Sequence, residues 1–141
     1  MLNVLEQKIK DRINSLKNAN KNIEVVTDEV MNDNLIDLVQ GQMLDGENGE
    51  GQLIGTYAPS TVMARNRRGL QTNYIDLFFT GDFFQGMDVI DSGDSYSVFS
   101  SVSYATDLDI RYPMIFGVQD ENKKLLKDSI IFNTVKRLKN G

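Results

Sequence analysis

Apolar residues recur along the chain with three different rhythms. Leu2, Leu5, Ile9, Ile13 and Leu16 fall three or four apart, which places them on one face of an amphipathic helix over residues 2–17. Asn18-Ala19-Asn20-Lys21-Asn22 follows, and asparagine side chains compete with the helix for backbone hydrogen bonds. The pattern therefore predicts a break there. A second helix is expected over residues 27–43, with Thr27 as N-cap and Leu35, Leu38, Val39, Gln42 and Met43 on its later inward face. Residues 46–55 hold four glycines and read as a loose loop. Pro59 and Gly69 bracket a short helix over residues 59–68.

Beyond that point the rhythm shortens. Asn73-Tyr74-Ile75-Asp76-Leu77-Phe78-Phe79-Thr80 is rich in strand formers and reads as a strand. In such a strand Asp76 would face away from Ile75 and Leu77, toward water. Residues 81–85 suit a tight turn or one helical turn. Residues 86–102 alternate around Ser92-Gly93-Asp94, the pattern of a β-hairpin. Residues 108–117 are a short extended or turn-rich piece interrupted by Pro113. Residues 121–139 predict a final helix whose apolar positions spread around much of its circumference, with lysines suited to its C-terminal dipole. No repeat or heptad array is expected. Helices and strands are segregated, which implies an α+β fold: N-terminal helices, a small antiparallel sheet with a hairpin, and a C-terminal helix. At 141 residues, one domain over 1–141 is the expectation.

Composition narrows the chemistry. The chain has no cysteine and no histidine. That removes disulfides, thiolate catalysis, cysteine zinc sites and any Ser-His-Asp triad. An enzyme would have to run on carboxylates, lysine, tyrosine or a hard metal ion. Asp45, Glu47 and Glu50 lie in the glycine-rich loop, but their spacing does not fit an EF-hand. The same acids would repel a phosphate, and no Gly-Lys-Ser/Thr follows. Asp76 and Asp82 could serve as a carboxylate pair for a glycosidase or a nuclease. Their expected places, on a wet strand face and in a turn, favour a structural role. The reading is no enzyme, no cofactor and no metal site.

Charge is unevenly distributed. Net charge is −5, which speaks against a dedicated nucleic-acid binder. Residues 22–64 contain eight acids and no base, whereas bases gather at residues 8–21, at Arg65, Arg67 and Arg68, and at residues 123–139. On a helix Arg65 and Arg68 share one face and Arg67 turns away. These arginines are candidate inter-subunit contacts, as are the apolar Phe78 and Phe79. The first residues carry charges and no apolar signal core, and no stretch approaches a membrane span. Synthesis in a cytoplasm without membrane insertion is therefore expected.

Four pieces occur in order: GENGEGQLIGTYAPST, with Tyr57-Ala58-Pro59-Ser60-Thr61 at its end; RNRRGLQT; IDLFFTGDFFQGMDV; and RYPMIFGVQDENKKLLKD. Together they resemble the virion morphogenesis or tail-completion proteins of tailed phages, in the variety carried by phages of Bacteroidetes, crAss-like phages among them. The resemblance covers about residues 37–126. It is centred on an apolar run, then Thr80-Gly81-Asp82 and the bulky Phe83. Relatives often carry a more polar or lysine-bearing residue before Thr-Gly, where this chain has Phe78-Phe79. The resemblance implies a non-enzymatic structural protein in the virion neck, a ring between portal and tail. It implies a homo-oligomer, twelve-fold in preference to six-fold, with other portal, neck or tail proteins as partners. Thr80, Gly81, Asp82 and Phe83 would then be a fold motif. The alternative is a small phage-encoded regulator or inhibitor that binds one protein as a monomer.

Overall fold

A computed structural model describes residues 3–140. Leu2 of the first apolar stripe lies outside the described residues. Seven elements follow in order: α1 (Val4–Leu44), α2 (Pro59–Arg67), α3 (Asp82–Gln85), β1 (Met87–Asp91), β2 (Tyr96–Ser100), α4 (Ala105–Arg111) and α5 (Asp120–Asn140). This is an α+β fold with a two-stranded antiparallel sheet and helices at both ends.

The two expected N-terminal helices are one. α1 runs for 41 residues, about 60 Å at ~1.5 Å per residue. Asn3 caps it: its side chain accepts from Glu6 N at 2.8 Å, and the Glu6 carboxylate accepts from Asn3 N, a capping box. The expected break at residues 18–22 does not occur. Asn22 donates back to the Asn18 carbonyl at 2.9 Å, and Thr27, expected as a cap, donates to the Ile23 carbonyl at 2.6 Å. These polar side chains satisfy themselves along the helix instead of interrupting it.

α5 packs antiparallel against the second half of α1. At one end the Gln42 side chain donates to the Gly117 carbonyl at 2.8 Å and accepts from Gln119 N and from the Asn122 side chain, at 2.9 and 2.7 Å. A buried amide with both ends used fixes the register of the helix pair. At the other end Arg137 reaches Glu29 at 3.5 Å. The core lies under this pair. Val26, Val30, Leu35, Val39 and Met43 of α1 meet Phe83, Met87, Val98, Ala105, Ile115 and Leu126. No residue of α1 before Val26 is buried.

The hairpin forms as expected, with Val89 opposite Val98 and Ser92 N bonded to Ser95 O across the turn. α2 and α5 fall within a residue or so of their expected limits. Three other expectations are corrected. The segment 73–80 is not a strand, because Asp76 turns the chain there and Leu77 takes φ 61°. The piece 108–117 begins inside a helix, α4, and then turns through Met114 at φ 67°. The glycine-rich loop is braced, not loose. Gly49 N donates to Met114 O at 2.7 Å, Ile54 N to Gly46 O at 2.8 Å, and the Asn48 side chain accepts from Glu50 N and Gln52 N. Gly49 also lies against Gly117 so closely that a Cβ would stand 2.4 Å from backbone.

Candidate functional site

The segment that connects α2 to α3 wraps around one buried arginine. Arg65 is 2% exposed and projects from the last turn of α2. Its Nε donates to the Gln71 carbonyl at 2.8 Å, Nη1 to the Phe78 carbonyl at 2.6 Å, and Nη2 to Asp76 Oδ1 at 3.0 Å. Its guanidinium also lies over the Tyr57 ring, 4.4 Å from the centroid. The rigid fork of an arginine can hold three such acceptors at once; a lysine cannot.

Asp76 is the counter-ion and is 5% exposed, so it does not face water as its alternating neighbours suggested. Its Oδ1 also accepts from Tyr57 Oη at 3.1 Å and from Phe78 N at 2.9 Å, while Oδ2 accepts from Gln71 Nε2 at 2.9 Å. Tyr57 Oη in turn accepts from Asp76 N at 3.0 Å. Burial is the main cause that pushes the Tyr57 hydroxyl above its usual pKa. Every oxygen of the carboxylate is thus engaged by groups that shape the turn. Asp76 is a turn-forming ion, buried at 5% exposure and bonded to four groups of its own chain.

The fold motif follows directly. Thr80 Oγ1 accepts from Asp82 N at 3.3 Å. Gly81, at φ 91°, starts α3 in a left-handed conformation that a glycine adopts without cost. That turn drives Phe83 into the core, where its ring lies 5.7 Å from Phe116 and 6.4 Å from Tyr104. Phe78 meets Phe84 edge-on at 5.6 Å. The four motif residues therefore act as a unit: two hold the turn, one permits it, and one anchors it.

Above this network opens a cleft of about 850 Å³, lined on one side by Tyr57, Phe78 and Phe79 and on the other by Tyr104, Leu108 and Tyr112. Phe79 is 45% exposed, and Arg68 lies over its ring at 4.3 Å. The five residues expected at a subunit contact thus separate. Arg65 is corrected to an internal role, since it is 2% exposed and each of its three nitrogens bonds a group of its own chain. Phe78 is half-buried in the cleft wall. Arg67, Arg68 and Phe79 are at the surface. Sequence reasoning missed Tyr57 and Gln71 as partners of the buried pair. The available signal was the i, i+3 step from Val62 to Arg65, which puts the arginine on the inward face of α2.

Glu47 accepts from the Gln119 side chain at 2.9 Å. Among the described residues no three Asp or Glu side chains gather as a metal cage, and no helix is long and apolar enough to cross a membrane. No family model, no curated protein and no solved structure matches this chain. The class that fold and site define is therefore an α+β body organised on a buried Arg-Asp-Tyr network, with a long helix extending from it.

Proposed function

We propose that this chain is a non-enzymatic structural subunit of a tailed-phage virion, part of a ring in the neck between portal and tail. One observation carries the reading. α1 continues for more than twenty residues past the body, and it exposes Leu5, Ile9, Ile13, Leu16 and Ile23 along that length. An apolar stripe of this extent left exposed along a helix is an interaction surface. The body behind it spends its buried ionisable groups on shape. The resemblance in the Thr80–Phe83 region supplies the virion context, and those residues build the body that holds the helix in place.

The experiment is to purify particles of the phage that carries this gene and quantify the protein by mass spectrometry against the portal. Integral stoichiometry to the portal, with ring density between portal and tail by electron microscopy, is the expected result. Absence from purified particles, with the protein recovered from infected cells as a monomer on one protein partner, would overturn the proposal in favour of a regulator.

A further inference from the structure

The exposed half of α1 has an internal order that its loose apolar content hides. Ile9, Ile13, Leu16, Asn20 and Ile23 are spaced four, three, four and three residues apart. That is the seam of a helix built to pack lengthwise on other helices, with one polar residue among apolar ones. Leu16 is 62% exposed, so the seam is unpartnered within the chain. The flank is basic: Lys10, Lys17 and Lys21 line one side of the seam. Residues 1–22 carry five bases and two acids, a net +3. The rest of the chain carries ten bases and eighteen acids, a net −8.

The body offers a matching furrow. It runs between α1 and α5 on their outer side and is continuous through Asn34. Its α1 wall carries Glu29, Asp33 and Asp37, spaced one helical turn apart; Glu29 is held by Arg137 at 3.5 Å, which leaves Asp33 and Asp37 to face a neighbour. On α5, Leu125 and Ser129 line its first part and Asn133, Lys136 and Arg137 its second; Phe132, 67% exposed, stands beside that wall on the face of Leu125 and Ser129. The lengths agree: α5 has 21 residues, and the free part of α1 before Ile23 has about the same number.

We infer that the free half of α1 lies in the α1/α5 furrow of a second copy, antiparallel to that copy's α5. In this register Ile23 meets Leu125, Asn20 meets Ser129 and Leu16 meets Phe132, so apolar faces apolar and the one polar seam residue faces a hydroxyl. Because α1 and α5 are antiparallel, the inserted helix runs parallel to the neighbour's α1. Lys17 then falls beside Asp33, and Lys21 beside Asp37. Pairing of two free halves with each other is the competing arrangement, and charge opposes it. In a parallel pair Arg12 of one helix would flank Lys17 of the other, and each segment would face its own net positive charge. The inferred contact joins two different surfaces, so it is heterologous and can propagate around a ring.

The inference rests on the assembly-subunit reading, and the two fail separately. Absence from particles counts against that reading; the following counts against this contact. Light scattering of the full chain over a concentration series is expected to show reversible association. The double variant Ile13→Asp with Leu16→Asp, altered only on the free helix, should be monomeric. So should Leu125→Asp with Phe132→Asp, altered only at the furrow. Circular dichroism of both should match the parent, since all four positions are exposed. Mixed together, the two variants should form a one-to-one complex, because one keeps an intact furrow and the other an intact helix. Lys17→Glu with Lys21→Glu should weaken association about tenfold, a loss of ~1.4 kcal/mol, and Asp33→Lys with Asp37→Lys should restore it. A parent chain that stays monomeric, a furrow variant that associates like the parent, or a mixture that stays monomeric would each overturn the contact.

Discussion

Replacing Arg65 with alanine should destabilise the body more than almost any other single change. The side chain joins the end of α2 to the Gln71 carbonyl, the Phe78 carbonyl and Asp76, at 2.8, 2.6 and 3.0 Å. Removing it leaves a buried carboxylate without its counter-ion and two carbonyls without a donor. Breaking one side of a buried pair costs about 3–5 kcal/mol. The whole chain is expected to have ~5–15 kcal/mol of stability. With an unfolding entropy of ~2.1 cal/mol/K per residue, a loss of about 4 kcal/mol lowers Tm by roughly 13 °C for a chain of this length. Arg65→Lys restores the charge without the fork and should recover only part of the loss. Asp76→Asn keeps the acceptor for Phe78 N, so it should cost less than Arg65→Ala. The coupling between the two sites is measurable as a double-mutant cycle by urea unfolding. A loss below about 1 kcal/mol for Arg65→Ala, on the scale of an exposed pair, would refute the reasoning, because it would place the ion pair in water.

Gly81→Val should cost about 1–3 kcal/mol in thermal unfolding, since φ 91° is strained for a β-branched residue; an unchanged Tm would show that the turn relaxes freely. Gly49→Ala should be destabilising by urea titration, because its Cβ would meet the Gly117 backbone at 2.4 Å; a neutral result would mean that the loop is not braced. Two tyrosines favour their protonated form in the folded chain: Tyr96, pushed up to about 12 chiefly by its hydrogen bond to Asp28, and Tyr57, raised chiefly by burial. Raised folded values mean that this contribution is fully present below about pH 10, the usual tyrosine value, and is lost as pH rises toward 12. Tyr96→Phe should flatten the alkaline limb of Tm against pH, and an unchanged limb would remove Tyr96 from it. Arg67→Glu with Arg68→Glu should leave the unfolding free energy, read by urea titration, within ~0.5 kcal/mol of the parent, as expected for surface positions.

The hairpin, α2 and α5 were legible because each rests on local signals: alternation around a glycine turn, proline at a start, glycine at an end. α1 was legible as helix but not as one helix. Residues 18–22 look like a break only if the asparagines compete with the backbone for partners, and Asn22 instead bonds its own helix at Asn18. The segment 73–80 misled for a different reason. Ile75, Leu77 and Phe79 alternate as in a strand, but a buried Arg65, 11 residues before Asp76 and 13 before Phe78, decides the conformation by holding Asp76 and the Phe78 carbonyl. Such a long-range ion pair leaves no period in the sequence. The turn at Thr80-Gly81-Asp82 was legible because its bond and its left-handed glycine are local, whereas the ring partners of Phe83, Tyr104 and Phe116, are distant in sequence. The cleft and the furrow were not, since each is made by elements distant in sequence.

The two charge systems of this chain are kept apart, and that separation has a physical consequence. Arg65 and Asp76 are buried, so salt screens their interaction little, and their pairing belongs to the stability of the body. The bases of the free helix and the acids of α1 are exposed, so any attraction between them is weak per pair and falls with ionic strength. A chain divided in this way can fold fully before it assembles, because the groups that hold its turn are not those that face a neighbour. It also follows that salt separates the two roles: rising ionic strength should weaken association of copies by no more than about tenfold, the share carried by the charge rows, while leaving Tm of the chain nearly unchanged. In the inferred contact the exposed apolar seam from Ile9 to Ile23 would set the strength, and the lysine row would decide which surface it meets.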